Sequence, residues 1–76
     1  MMAHWRQVTL DTVQGHVTQM KGFALTIIGR NGEWWWLVHR GECTLAEGQE
    51  RTLLGAKIVA EDAARGLTDD PEPGDV

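Results

Sequence analysis

Three places in this sequence hold side chains of the types that do chemistry: Cys43, the pair His39 and Glu42, and His16. A cysteine acts as a nucleophile only as a thiolate, in an accessible and electropositive setting. Cys43 is expected instead on an apolar strand face beside Val38, where a thiol packs as a small inert hydrophobe. His39 and Glu42 are expected to meet across the end of a hairpin, and a carboxylate can orient an imidazole for proton transfer. No nucleophile accompanies them, so the expectation is a solvated surface pair. His16 has no evident partner. His4, His16, His39 and Cys43 are too scattered for the ligand spacing of a zinc site, so neither a metal nor a cofactor is expected. Gly29-Arg30-Asn31-Gly32 reads as a turn, not as the strand-to-helix loop that cradles phosphate. The residues imply no catalytic centre, no small-molecule substrate and no enzyme.

Recognition is the chemistry left, and it centres on Trp34-Trp35-Trp36 behind Asn31-Gly32. Asn-Gly is the strongest short-range signal for a two-residue type I′ hairpin, whose central residues both need φ > 0. That turn pairs Arg30 with Glu33, Gly29 with Trp34, Ile28 with Trp35, Ile27 with Trp36, Thr26 with Leu37 and Leu25 with Val38. Successive strand residues face opposite sides, so Trp35 leaves the sheet opposite to Trp34 and Trp36. With Arg40-Gly41 as the next turn, Phe23, Leu25, Ile27, Trp34, Trp36, Val38, Cys43 and Leu45 share a core face. Gly29 opposite Trp34 suits an aromatic ring lying over a glycine. The other face holds Ala24, Thr26, Ile28, Trp35, Leu37, Thr44 and Ala46, rimmed by Arg30, Glu33, His39 and Glu42. An apolar centre with a polar rim resembles an interface hot spot, so Ile28, Trp35, Leu37, Arg30 and His39 are the candidate partner-binding residues. Three coverings of this face are open. Residues 1–10 could fold over it, a second copy or another protein could dock on it, or nucleic-acid bases could stack there.

The elements that must position these residues are a three-stranded antiparallel meander and one helix, an α+β class. The strands are expected near 23–29, 34–39 and 42–47. The main helix is expected over 52–65, with Thr52 as N-cap and Gly66 as the residue after its end. Leu53, Ala56, Val59, Ala60, Ala63, Ala64 and Leu67 line its core face, while Lys57, Glu61 and Arg65 form a solvated ladder at i, i+4 spacing. Leu54 and Ile58 fall on the polar side, and a slightly rotated helix that buries Ile58 is the simpler expectation. Residues 1–22 read as an extended 5–10 segment, which could add a strand at the sheet edge, and then a short helix, opened by Asp11 and Gln14 and closed at Gly22. Thr12, Val13, Val17 and Thr18, being β-branched, argue against that helix.

Seventy-six residues make one small domain, expected over 1–67. Folding at this size buries only about 60% of the unfolded surface. With one cysteine and no zinc pattern, association is the remaining staple. The net charge of −4 lies in residues 68–76, where Asp69, Asp70, Glu72 and Asp75 have no basic neighbour; this stretch reads as a disordered acidic tail. Residues 1–67 balance seven acidic against seven basic side chains, so neither a basic nucleic-acid patch nor an acidic mimic is visible. No apolar run approaches the roughly 18 residues of a membrane span. A cytoplasmic setting is expected.

Gly48, Thr52, Ala56-Lys57, Ala60, Ala63-Ala64 and Leu67 fall as in the C-terminal helix of the double-stranded-RNA-binding domain. With the meander before it, the chain resembles that family, which implies helix, three strands, helix. The two lysines that meet phosphate in the family fall here on Leu53 and Leu54, leaving Lys57 beside Arg51. Apolar residues cannot release counterions from a phosphate backbone. Arg51, Lys57 and Arg40 are the candidate nucleic-acid contacts under this reading. The style of the chain is also similar to small phage and prophage proteins, which implies an inhibitor of a host complex. The leading expectation is a small non-catalytic protein-binding module, a homodimer or a binder of a larger complex.

Overall fold

The structure, a computed structural model, describes residues 4–10 and 13–68. Five strands precede one helix: β1 (Arg6–Leu10), β2 (Val13–Met20), β3 (Phe23–Arg30), β4 (Glu33–Arg40), β5 (Cys43–Glu50) and α1 (Leu53–Thr68). The strands form one antiparallel sheet in the order β1-β2-β3-β4-β5. The α+β class and the C-terminal helix are as the pattern implies, with five strands where three, and a possible extra N-terminal strand or short helix, are expected.

The β3–β4 hairpin has every pairing the Asn-Gly signal implies, from Arg30 with Glu33 to Leu25 with Val38. Asn31 and Gly32 sit at φ of 55° and 78°, the left-handed pair that a type I′ turn needs. The N-terminal segment differs. Residues 13–20 are a strand, not a short helix. Its β-branched residues pack on a pleated surface, and Lys21-Gly22, at φ of 52° and 87°, makes a second two-residue hairpin turn. Asp11, half of the expected helix-capping pair, lies outside the described residues. Of the two placements open to residues 5–10, the edge strand is the one found: β1 pairs along the edge of β2 and does not fold over the sheet.

The β4–β5 connection is also corrected. Its turn is Gly41-Glu42 rather than Arg40-Gly41, with Arg40 opposite Cys43 and Gly41 at φ 60°. A glycine at the first central position is what a type II′ turn favours. A bulge then follows: His39 pairs with Thr44 and Val38 with Ala46, leaving Leu45 as the extra residue. The odd shift flips the strand beyond it. Cys43, opposite Arg40 at the turn, stays on the helix side but lies past the end of the core and is exposed, and Leu45, the extra residue, is 43% exposed, instead of both lining the core. Ala46 moves to the core side.

The core joins Phe23, Leu25, Ile27, Trp36 and Val38 to Ala56, Ala60 and Ala64 of α1. Alanines let the helix approach the sheet closely. Trp34 lies over Gly29 and Trp36 over Gly48, so close that a Cβ on either glycine would stand 2.2 Å and 2.6 Å from the nearest ring atom. Thr52 caps α1, its Oγ1 accepting from Gly55 N at 2.9 Å and its carbonyl from Ala56 N at 3.0 Å. The helix continues through Gly66 to Thr68, because Leu67 still packs on the core and offsets the glycine. The acidic stretch from 69 onward lies outside the described residues.

Two helix expectations are overturned. Ile58 is 51% exposed, and Leu54 with it, so the helix is not rotated to cover them. Glu61 is 2% exposed rather than solvated. Trp5 Nε1 donates to Glu61 Oε2 at 2.7 Å, and Arg65 reaches Oε1 at 3.4 Å. Lys57 Nζ stands 5.9 Å from the centroid of the Trp5 ring. The N-terminal indole thus closes this flank of the helix and keeps the carboxylate satisfied.

Candidate functional site

The helix covers one face of the sheet, with contacts to β3, β4 and β5. The pairing places residues on the other face in rows running from β1 to β5. One row is Val8, Gly15, Ile28, Trp35 and Gln49. The next is Arg6, Val17, Thr26, Leu37 and Glu47. A third carries Gln19, Ala24, His39 and Thr44, and Arg30 with Glu33 closes the opposite end. Trp35 is 44% exposed and Ile28 38% exposed in the middle of this face.

All five residues expected to bind a partner stand together here. Ile28 and Trp35 are directly opposite, Leu37 follows on β4, and Arg30 and His39 mark the two ends. His39 does not meet Glu42, which lies in the turn; its Nε2 is 3.0 Å from Thr26 Oγ1, across the strand pair. The face is concave toward the N-terminal strands, a hollow of about 700 Å³ walled by Arg6, Val17, Gln19, Ala24 and Thr26 with His4. A smaller hollow of about 230 Å³ lies beside Trp35, Leu37, Glu47 and Gln49. Local spacing missed Arg6, Val8, Gly15, Val17 and Glu47 as members. The alternation of Val13, Gly15 and Val17 was the signal that could have found the β2 share.

The three residues considered for nucleic acid do not converge. Arg51 follows β5 at the Asn31-Gly32 end, whereas Arg40 is at the far end, its guanidinium 4.5 Å above Phe23. Lys57 is at the Trp5 flank of the helix. Among the described residues, no group of three or more His, Cys, Asp or Glu could hold a metal ion. No helix among them is long and apolar enough to cross a membrane.

His16 is buried on the helix side of β2, opposite Ile27 and 6.0 Å from the Trp34 ring. Its Nε2 has no hydrogen-bond partner among the described residues. Burial, aided by the Lys57 charge, lowers its pKa below 6.5. The unfolded chain then binds the proton more readily than the native one. Stability is full above pH 6.5 and falls as pH drops from there to the lowered native value. Denaturant midpoints of wild type and His16→Gln between pH 7.5 and 5 check this: the variant should lose less stability over that range.

Comparison with protein families, curated proteins and solved structures finds no match.

Proposed function

We propose that the chain is a non-catalytic protein-binding module that docks through the helix-free face of its sheet, as a homodimer or on a larger complex. The observation that carries this reading is the open indole of Trp35 beside Ile28, at the centre of an apolar strip that neither α1 nor β1 covers. Large aromatic side chains ringed by polar groups are where interface energy concentrates. The rim carries Arg6 and Arg30 against Glu33 and Glu47. A balanced rim suits a protein surface better than a polyanion, which draws on a cluster of cations.

Trp35→Glu tests the reading. Associated mass in solution should fall with affinity weakened about 30-fold or more, the scale of losing a hot spot of ~2 kcal/mol. Circular dichroism should report an unchanged fold. Association that survives the charge, or a chain that unfolds with it, overturns the reading.

A further inference from the structure

We infer that the occupant of this face is a second copy of the chain, packed sheet to sheet about a two-fold axis parallel to β3. The inference rests on the Trp35 face being a docking surface. Such an axis reverses the strand order across the interface: β1 lies over the partner's β5, β2 over the partner's β4, and β3 over itself. Rows stay level. Aligned sheet packing, with its rotation of about 30°, keeps these meetings near the axis.

The rows are complementary to their own reversal. Arg6 stands opposite the partner's Glu47 and Val17 opposite the partner's Leu37, each meeting occurring twice by symmetry. In the neighbouring row Trp35 stands opposite the partner's Gly15. Gly15 has no side chain, and the nearest side-chain atom to the place of its Cβ is Val8 Cβ at 3.8 Å. Gly15 is buried between its row neighbours Val8 and Ile28, so the largest side chain on the face meets no bulky side chain directly opposite. Ile28 meets its own copy on the axis.

Charge chooses between the possible axes. A two-fold across the strands stacks β1 on β1 and β5 on β5, bringing Arg6 toward Arg6 and Glu47 toward Glu47. The axis along β3 pairs opposite charges at both edges. None of Arg6, Arg30, Glu33 or Glu47 has an ion-pair partner among the described residues of its own chain. Five strands at ~4.8 Å and eight residues at ~3.3 Å give a face of roughly 600 Å². Two such faces bury roughly 1,200 Å², the lower end of a standard specific interface.

Sedimentation equilibrium of the full chain from micromolar to millimolar, with circular dichroism as the fold control, decides the matter. The wild type should sediment at twice the chain mass. Arg6→Glu and Glu47→Arg should each weaken the dimer about tenfold, and the double swap should restore it to within a few-fold. Both positions are exposed at sheet edges, so the variants should fold. A wild type that stays monomeric at millimolar concentration overturns the second copy and leaves the docking face to another protein. A dimer that Trp35→Glu dissociates but the double swap does not restore overturns this axis alone. A dimer indifferent to Trp35→Glu overturns both the inference and the reading beneath it.

Discussion

Gly48→Ala should lower the unfolding free energy by about 3 kcal/mol, although it adds a single methyl group. The new Cβ would stand 2.6–2.8 Å from Cζ2, Cε2 and Nε1 of Trp36, well inside any normal contact. A flexible side chain would swing away, but this indole is planar and buried among Leu25, Ile27, Val38 and the helix alanines. Overpacking of a filled core typically costs 1–3 kcal/mol. Displacing the ring also forfeits part of its own burial. At ~0.05–0.15 kcal/mol per residue, a chain of this length holds only ~4–11 kcal/mol in total. The thermal midpoint should therefore fall by roughly 10–20 °C. Gly29→Ala should act in the same direction but less strongly, because Trp34 is only partly buried and has room to move outward. Trimming the ring should relieve the strain, so Gly48→Ala combined with Trp36→Leu should cost less than the two changes summed. A Gly48→Ala midpoint within 2–3 °C of the wild type, on the order of a 0.5 kcal/mol effect, would show that the ring does not rest on that glycine.

The two Trp-over-Gly contacts also mark where local reading of the chain succeeds and where it stops. Gly29 beneath Trp34 is legible because Asn31-Gly32 admits one tight turn, and its register follows at once. Gly48 beneath Trp36 is not, because Gly41 can serve either of two turns and Leu45 then adds a residue to the strand. Moving the turn by one residue slides the pairing by two and keeps the faces, whereas the one extra residue at Leu45 exchanges them. The burial of Glu61 is opaque for a different reason. Its spacing to Lys57 and Arg65 reads as a surface ladder, and only Trp5, 56 residues earlier, removes it from water. The docking face follows the same division. Ile28, Trp35, Leu37, Arg30 and His39 belong to the legible hairpin, whereas Arg6, Gly15, Val17 and Glu47 reach the face through pairings that local signals did not specify.

Placing a carboxylate at each of the three consecutive tryptophans should give three different outcomes, and the middle one should be the mildest. Trp36→Glu exchanges a buried indole for a carboxylate beside Leu25, Ile27 and Val38, none of which offers it a hydrogen bond. Losing a buried large aromatic alone costs about 3–5 kcal/mol. An unpaired buried charge adds several kcal/mol more, or is protonated at a similar cost. The sum approaches or exceeds the whole stability of so small a domain, so this variant should be unfolded at neutral pH. Trp34→Glu should be intermediate, since that ring is half-buried against His16 and Gly29. Trp35→Glu should still fold, its midpoint falling only by what association through this face supplies, because within one chain its side chain is on the uncovered face. Far-ultraviolet circular dichroism through a thermal ramp separates the three. Neighbouring positions of one residue type control for composition and strand propensity, so the contrast isolates which way each side chain points. A folded Trp36→Glu beside an unfolded Trp35→Glu would mean that the strand pairs one residue out of step. The face from which Trp35 is proposed to act would then be the inside of the protein.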